Sequence, residues 1–450
     1  MAGRTNADAP SRRGGIGRVL IAGGAVLALI GAATAGCLAS TGRFPGDSMD
    51  IAWQTPADGK SSEQGNGAWL VGDILVRSRF DAATAYDART GAQVWDLRPP
   101  GRSRICAAEA DVDRSVLLVV RDDENRPASS RRELCTVVTA VDMKTGREIW
   151  RTPIPADADA DADAKVGRRF ERSPVAAGGG LALVADQGLR AVDVRTGEPR
   201  WTAAVPGNCV PGKAAPADRH VAVLLACGAP DRPRTDDEVP EGAELHAAAF
   251  APTTGALLWS TPLGDREPVR WDALSSIVSA DPLVVSASGT GDKASGAYYS
   301  FGEGGVPHPR IEFSGEHGHL NDKLRVAAVD GTRLYALAGY YVKGGTRHRA
   351  VAFDLTTGRP VWKTDLDDLP GVALHLQDGK VTVIVKGSAT SAVPDEDLYV
   401  LDAATGKERD SRGFHDDVAP ADEVFVYEDL LIVARPGASS GPAFTAYARA

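Results

Sequence analysis

The chain has 450 residues, 43% of them hydrophobic and 24% charged, with a formal net charge of −10 at pH 7. This balance supports a large apolar core and excludes wholesale disorder. An acidic total with no basic stretch in the body also excludes a nucleic-acid footprint, which needs Lys and Arg gathered on one face.

The first elements in chain order belong to the N-terminus. Residues 1–18 form a basic segment, with Arg12, Arg13 and Arg18 ahead of an uncharged run over residues 19–42. Positive charge before an apolar run puts residues 1–18 in the cytoplasm and the body on the extracytoplasmic side of the cell membrane. As a helix, the run is long enough to cross about 30 Å of hydrocarbon. It also reads as an export signal, because it ends in small residues. Thr34-Ala35-Gly36-Cys37 resembles a bacterial lipobox, with Thr34 where Leu is usual, and makes Cys37 a lipidation candidate. Ser11-Arg12-Arg13 is similar to a twin-arginine signal, but Gly14-Gly15 follow where such a signal has a bulky apolar residue. A transmembrane anchor and a lipid anchor both remain open; both imply export and attachment.

The remaining cysteines are Cys106, Cys135, Cys209 and Cys227, an even number suited to an oxidising compartment. Three pairings are open. Cys106–Cys135 with Cys209–Cys227 keeps each bridge inside one repeat; four buried thiols are the alternative.

That repeat is the strongest signal in the body. Ala85-Tyr86-Asp87-Ala88-Arg89-Thr90-Gly91-Ala92-Gln93-Val94-Trp95 returns as Ala140 to Trp150, Ala191 to Trp201, Ala249 to Trp259 and Ala352 to Trp362. Val400 to Gly406 begins a further copy without the tryptophan. A period near fifty residues means one supersecondary unit repeated. Within one unit, 173–177, 181–185, 189–193 and 198–204 read as four short strands separated by glycine-containing turns, so the class is all-β. Four antiparallel strands per repeat make a propeller blade. Asp193 can accept turn N–H groups, Gly197 supplies a positive φ, and Trp201 offers a flat ring to the next blade. Trp53, Trp95, Trp150, Trp201, Trp259 and Trp362 are the structural docking residues.

Two periods separate Gly255 from Gly358, so a degenerate unit belongs between them; 282–286, 297–301 and 310–313 supply its strands. The C-terminus provides three strands, at 424–427, 430–434 and 444–448, and Asp50 to Thr55, with Trp53, provides the missing fourth. The expectation is an eight-bladed β-propeller over residues 50–450, its last blade closed by both chain ends.

The Ala-x-Asp-x-x-Thr-Gly-x-x-x-Trp copies resemble the tryptophan-docking repeat of the pyrroloquinoline quinone (PQQ)-like eight-bladed propellers. The resemblance implies one of two branches. One comprises quinoprotein dehydrogenases holding PQQ and calcium on the axis. The other comprises non-enzymatic envelope proteins, including a lipoprotein that helps assemble outer-membrane barrels. In the first branch alcohol dehydrogenases stack PQQ on a disulfide of adjacent cysteines, and no two cysteines are adjacent here. No calcium-ligand or catalytic-aspartate motif can be carried over. The expectation is therefore a membrane-tethered, non-catalytic binding or scaffolding module, with no catalytic, cofactor or metal residue assigned. A PQQ- and calcium-dependent oxidoreductase and an envelope small-ligand sensor are the alternatives. An unidentified protein or small ligand on a propeller face is the expected partner.

Other segments carry patterns that suggest chemistry. Gly437-Ala438-Ser439-Ser440-Gly441 matches a nucleophile-elbow pattern but falls between two strands, without the helix an elbow needs. His317-Gly318-His319 with Asn321 and Asp322 reads as a solvated loop more readily than as metal ligands. The alternating Ala-Asp run over 156–164 lacks the glycine and closing Glu of a calcium loop. Insertions at 122–133, 229–244 and 389–397 read as connections between second and third strands, crowding one face. Trp69 and Trp271 lie outside the docking positions, near first strands, and are the ligand-surface candidates.

Overall fold

A computed structural model describes residues 48–57, 65–101, 103–122, 135–154, 175–185, 188–228, 242–264, 269, 275–288, 296–320, 326–343, 345–366, 370–386, 396–416, 418, 420–421, 423–435 and 441–449. The described chain is all-β, built from four-stranded antiparallel units in the manner of a β-propeller. The first sheet takes Gly67–Val71, Ile74–Ser78, Ala83–Asp87 and Gln93–Leu97 in order. The second takes Ile105–Asp111, Val116–Asp122, Cys135–Asp142 and Glu148–Pro153; the third takes Val175–Gly178, Leu181–Ala185, Leu189–Asp193 and Pro199–Thr202. The fourth comprises Cys209–Pro216, Val221–Cys227, Glu244–Phe250 and Leu257–Pro262; the fifth comprises Ser276–Ser279, Val284–Ala287, Ala297–Ser300 and Ile311–Glu312.

The sixth sheet is larger. Its path Ala327–Asp330, Arg333–Val342, Gly345–Asp354, Pro360–Leu366 carries an added hairpin, Ser314–Gly315 with Gly318–Leu320, paired to the far half of the second strand at His319–Gly339. The last sheet has eight strands. Gly371–Gln377, Lys380–Val385, Asp397–Asp402 and Glu408–Phe414 come first; then Ser48–Gln54, Phe444–Arg449, Leu430–Ala434 and Glu423–Tyr427 complete it. Ser48–Gln54 pairs antiparallel with Phe444–Arg449, setting Ile51 opposite Tyr447 and Trp53 opposite Ala446, so the two chain ends share one unit.

Burial explains the composition of each strand. Second strands such as Val221–Cys227 are buried along their whole length, because the sheet is covered on both faces. In fourth strands such as Gln93–Leu97, Gln93, Val94 and Asp96 are exposed while Trp95 and Leu97 are partly buried. First strands of successive sheets touch one another, from Gly67–Val71 through to Glu423–Tyr427. Each hydrophobic cluster straddles two successive sheets: Val119 and Leu117 meet Val76, Leu225 meets Leu183, and Val433 meets Ile384. Leu75 of the first sheet packs with Ile432, Phe444 and Ala446 of the chain-end strands. Each fully buried Leu, Ile or Val contributes roughly 1.5–3 kcal/mol, so the stability lies between sheets rather than within them.

The fifth sheet differs in detail from its sequence reading. Its first strand is Ser276–Ser279, which the pattern did not reveal; residues 282–286, read as one of its strands, supply the second, Val284–Ala287. The hairpin of the sixth sheet, ten residues on each arm, was likewise unforeseen.

Candidate functional site

The Thr-Gly turns set the spacing of everything else. Asp87 Oδ1 accepts the Thr90 N–H at 2.8 Å and the Thr90 hydroxyl at 2.7 Å. Asp142, Asp354 and Asp402 hold Thr145, Thr357 and Thr405 in the same way. Hydrogen bonds from Arg409 and Thr405 bring Asp402 down to about 2. The glycine that follows has φ between +67° and +72° in every copy. Its missing Cβ is where an indole sits: Trp53 covers Gly91, Trp95 covers Gly146, Trp150 covers Gly197, Trp201 covers Gly255, and Trp362 covers Gly406. Trp259 covers Gly305, the turn glycine of the degenerate unit. Indole N–H groups donate to carbonyls of the covered turn, from Trp95 to Met143, Trp150 to Val194, Trp201 to Pro252 and Trp362 to Ala403, at 2.7–3.0 Å. The Trp53 Nε1 has no such partner among the described residues.

The other singled-out residues separate. Cys209 and Cys227 lie opposite each other on neighbouring strands and form a disulfide with a Cα–Cα distance of 4.0 Å. Cys106 is also disulfide-bonded, while the side chain of Cys135 lies outside the described residues. Trp69 is half-buried on the first strand of the first sheet, its ring folded over Gly67. Trp271, Cys37, Asn321, Asp322, residues 156–164 and 437–440, and the body of each expected insertion lie outside the described residues. His317 is not solvated as the loop reading implied. It is buried edge-on against Phe353 and donates from Nε2 to the Glu312 carbonyl at 3.1 Å; burial holds its pKa down. His319 stays exposed beside the Ser314 hydroxyl at 2.8 Å. Among the described residues, no three His, Cys, Asp or Glu side chains converge as metal ligands.

The most developed surface is the one missed from sequence. In a four-stranded antiparallel unit, connections between second and third strands share a face with those leading to the next unit. The long hairpin of the sixth sheet projects on that face, its tip pairing Tyr341 with Thr346 and Val342 with Gly345. Tyr341 is 89% exposed and Val342 42%. Beneath the tip, the Arg349 guanidinium lies 3.5 Å from the Tyr340 ring centroid, and the Tyr340 hydroxyl donates to Asp365 at 3.0 Å. Arg349 Nε also comes within 3.0 Å of Asp365, an ion pair without hydrogen-bond alignment. These contacts stiffen the projection. Between it and the added hairpin opens a cavity of about 940 Å³, lined by His319, Leu337, Tyr340, His348 and Pro370 among others. The signal was available: a Gly-Gly pair at 344–345 stands between two runs rich in Tyr, Leu and Val or Phe, which is a hairpin pattern.

Near the inner edges of the sheets, Glu109 on Ile105–Asp111 feels the charge of Glu423 on Glu423–Tyr427. Burial first, and then that charge, push Glu109 up to about 7.

Comparison with known proteins adds the following. A family model described as outer membrane protein assembly factor BamB matches residues 133–228 and 243–418. No curated protein matches the sequence. Among solved structures, the computationally designed Ika8 protein is 11% identical, with a TM-score of 0.52 over 88% of this chain and 99% of that one. BamB from Moraxella catarrhalis is 15% identical, with a TM-score of 0.46 over 88% and 97%. The quinohemoprotein alcohol dehydrogenase ADHIIG from Pseudomonas putida HK5 is 11% identical, with a TM-score of 0.50 over 89% and 76%. At such identities the structural likeness speaks to the fold alone.

Proposed function

Because the chain belongs to the PQQ-like repeat family described by the outer membrane protein assembly factor BamB, we propose that it is a non-catalytic binding or scaffolding propeller of eight blades, tethered to the cell membrane and exposed outside the cytoplasm. The blade count rests on the seams. Starting from the chain-end unit and passing through each sheet in turn, every unit meets the next, and the last cluster returns to the first sheet. The tether rests on the apolar run at 19–42 and on Cys37. Among the described residues no helix is long and apolar enough to cross a membrane. The Cys209–Cys227 disulfide suits an oxidising compartment.

The observation that carries the binding role is the projecting hairpin. An 89% exposed tyrosine on an arm stiffened by Arg349 and Tyr340 offers apolar surface with little ordering cost. The expected partner is a polypeptide, gripped by the Tyr341 tip and the cavity at its base. A photo-crosslinking residue in place of Tyr341, activated in intact cells, should give a discrete adduct; the same residue in place of Lys144, on a turn of the opposite face, should not. An empty lane at position 341 counts against the reading.

The oxidoreductase alternative fits the residues poorly. No two cysteines are adjacent, and no calcium-ligand or catalytic-aspartate motif of that branch can be matched to this sequence. Dye reduction by protein supplied with PQQ, calcium and an alcohol or sugar would reverse this preference.

A further inference from the structure

The two histidines that stand almost side by side in sequence separate in the fold, and one of them gains a new neighbour. His317 turns into the core against Phe353, while His319 stays on the added hairpin of the sixth sheet. There Ser314 pairs with His319, His319 with Gly339, and Gly339 with His348, in one row across four strands. Residues directly opposite in antiparallel strands project from the same face, so both imidazoles stand on one face with a glycine between them. Neighbouring strands are about 4.8 Å apart, which puts the two histidine backbones roughly 10 Å from each other. Gly339 puts no side chain into that gap. The His348 ring leans towards it: a Cβ on Gly339 would meet the His348 Cε1 and Nδ1 atoms at 3.5 Å. His319 is held from its other side, with Nδ1 2.8 Å from the Ser314 hydroxyl.

A metal-ligating histidine typically donates its other ring N–H to an oxygen, which fixes the tautomer and orients the ring. Ser314 Oγ is placed to accept from Nδ1 of His319, which leaves the Nε2 lone pair for a metal. We propose that His319 and His348 together bind a divalent transition-metal ion across Gly339, copper(II) most tightly. Imidazole suits copper, nickel and zinc, and affinity at a nitrogen site peaks at copper(II). Calcium and magnesium prefer oxygen donors and gain little from two imidazoles. Among the described residues no third His, Cys, Asp or Glu joins the pair. The remaining coordination positions therefore belong to water, or to a group entering the cavity of about 940 Å³ that both histidines line. The site does not depend on the polypeptide proposed for that cavity, because metal binding is read on the protein alone.

Copper(II) is the probe, titrated into purified full-length protein without an affinity tag and followed by calorimetry and electron paramagnetic resonance. Saturable binding is expected, with a spectrum showing two nitrogen donors, and with zinc(II) held more weakly. His319→Ala and His348→Ala should each weaken copper by about tenfold or more, and Ser314→Ala, which only orients His319, by a smaller factor. His415→Ala, at the histidine paired with Asp50, should leave the affinity unchanged. Gly339 lies within a strand, so Gly339→Val suits the backbone while placing a branched side chain between the imidazoles. That variant should lose copper and keep its melting temperature, which separates metal binding from folding should a histidine variant unfold. Absence of saturable copper binding overturns the proposal. So does a spectrum with a single nitrogen donor, or an affinity that survives either histidine substitution or Gly339→Val in folded protein.

Discussion

Glu109 is a carboxyl group at the inner edge of the second sheet, pushed up to about 7 from an ordinary 4.5 by burial and by the charge of Glu423. Since the folded value lies above the unfolded one, its contribution to stability is complete below about pH 4.5 and is lost as the pH rises through 7. Glu109→Gln removes the charge but keeps the shape. At pH 8 the variant should be more stable than the parent, by up to about 3 kcal/mol if the full shift is expressed. At pH 4.5 the two should unfold together. Denaturant titrations at both values check this, and a difference independent of pH would mean that Glu109 is solvated. His317, His246 and His375 have pKa values lowered by burial. They act in the opposite sense: their neutral forms suit the fold above about pH 6.5, and stability falls as acid protonates them.

At the scale of the element, the turn and its indole form one mechanical unit, and the turn glycine is its tightest point. Gly146 has φ +68°, and a Cβ there would collide with the Trp95 ring; Gly379 has the same φ with nothing within 4 Å. Gly146→Ala should therefore cost both backbone strain and displacement of the ring, about 3 kcal/mol or more, whereas Gly379→Ala should cost about 1 kcal/mol of strain alone. Thermal melts of the two variants separate these contributions, and equal losses would remove the indole from the account. This unit was legible in the sequence because its chemistry is local: Asp, Thr, Gly and Trp stand at fixed offsets, and each answers to one contact. Ser276–Ser279 was not legible, because four residues, two of them serine, carry too short a pattern, even with the Asp281-Pro282 turn directly after them. The long hairpin hid within a unit whose strands had already been assigned. Pro309, packed on Gly358 where a tryptophan is usual, shows the same limit: the sequence displays a missing tryptophan, and only the packing displays its substitute.

For the whole molecule, the decisive feature is that residues almost 400 positions apart in sequence lie side by side. Asp50 pairs with Ala448 across Ser48–Gln54 and Phe444–Arg449, and Trp53 reaches over to cover Gly91 of the first sheet. This arrangement was anticipated from a lone tryptophan strand at one end and three strands at the other, since neither end forms a complete unit by itself. Directly paired strand residues have Cα atoms about 4.5–5.5 Å apart, within reach of a disulfide. Asp50→Cys with Ala448→Cys should therefore cross-link the chain ends under mild oxidation. Closing a loop of that length restricts the unfolded chain strongly, by on the order of 5 kcal/mol, though loop entropy grows only logarithmically. The oxidised variant should run faster on a non-reducing gel as a monomer and melt higher than the same protein after reduction. If the ends were apart in solution, the thiols would stay free or link separate molecules, and reduction would leave the melting temperature unchanged.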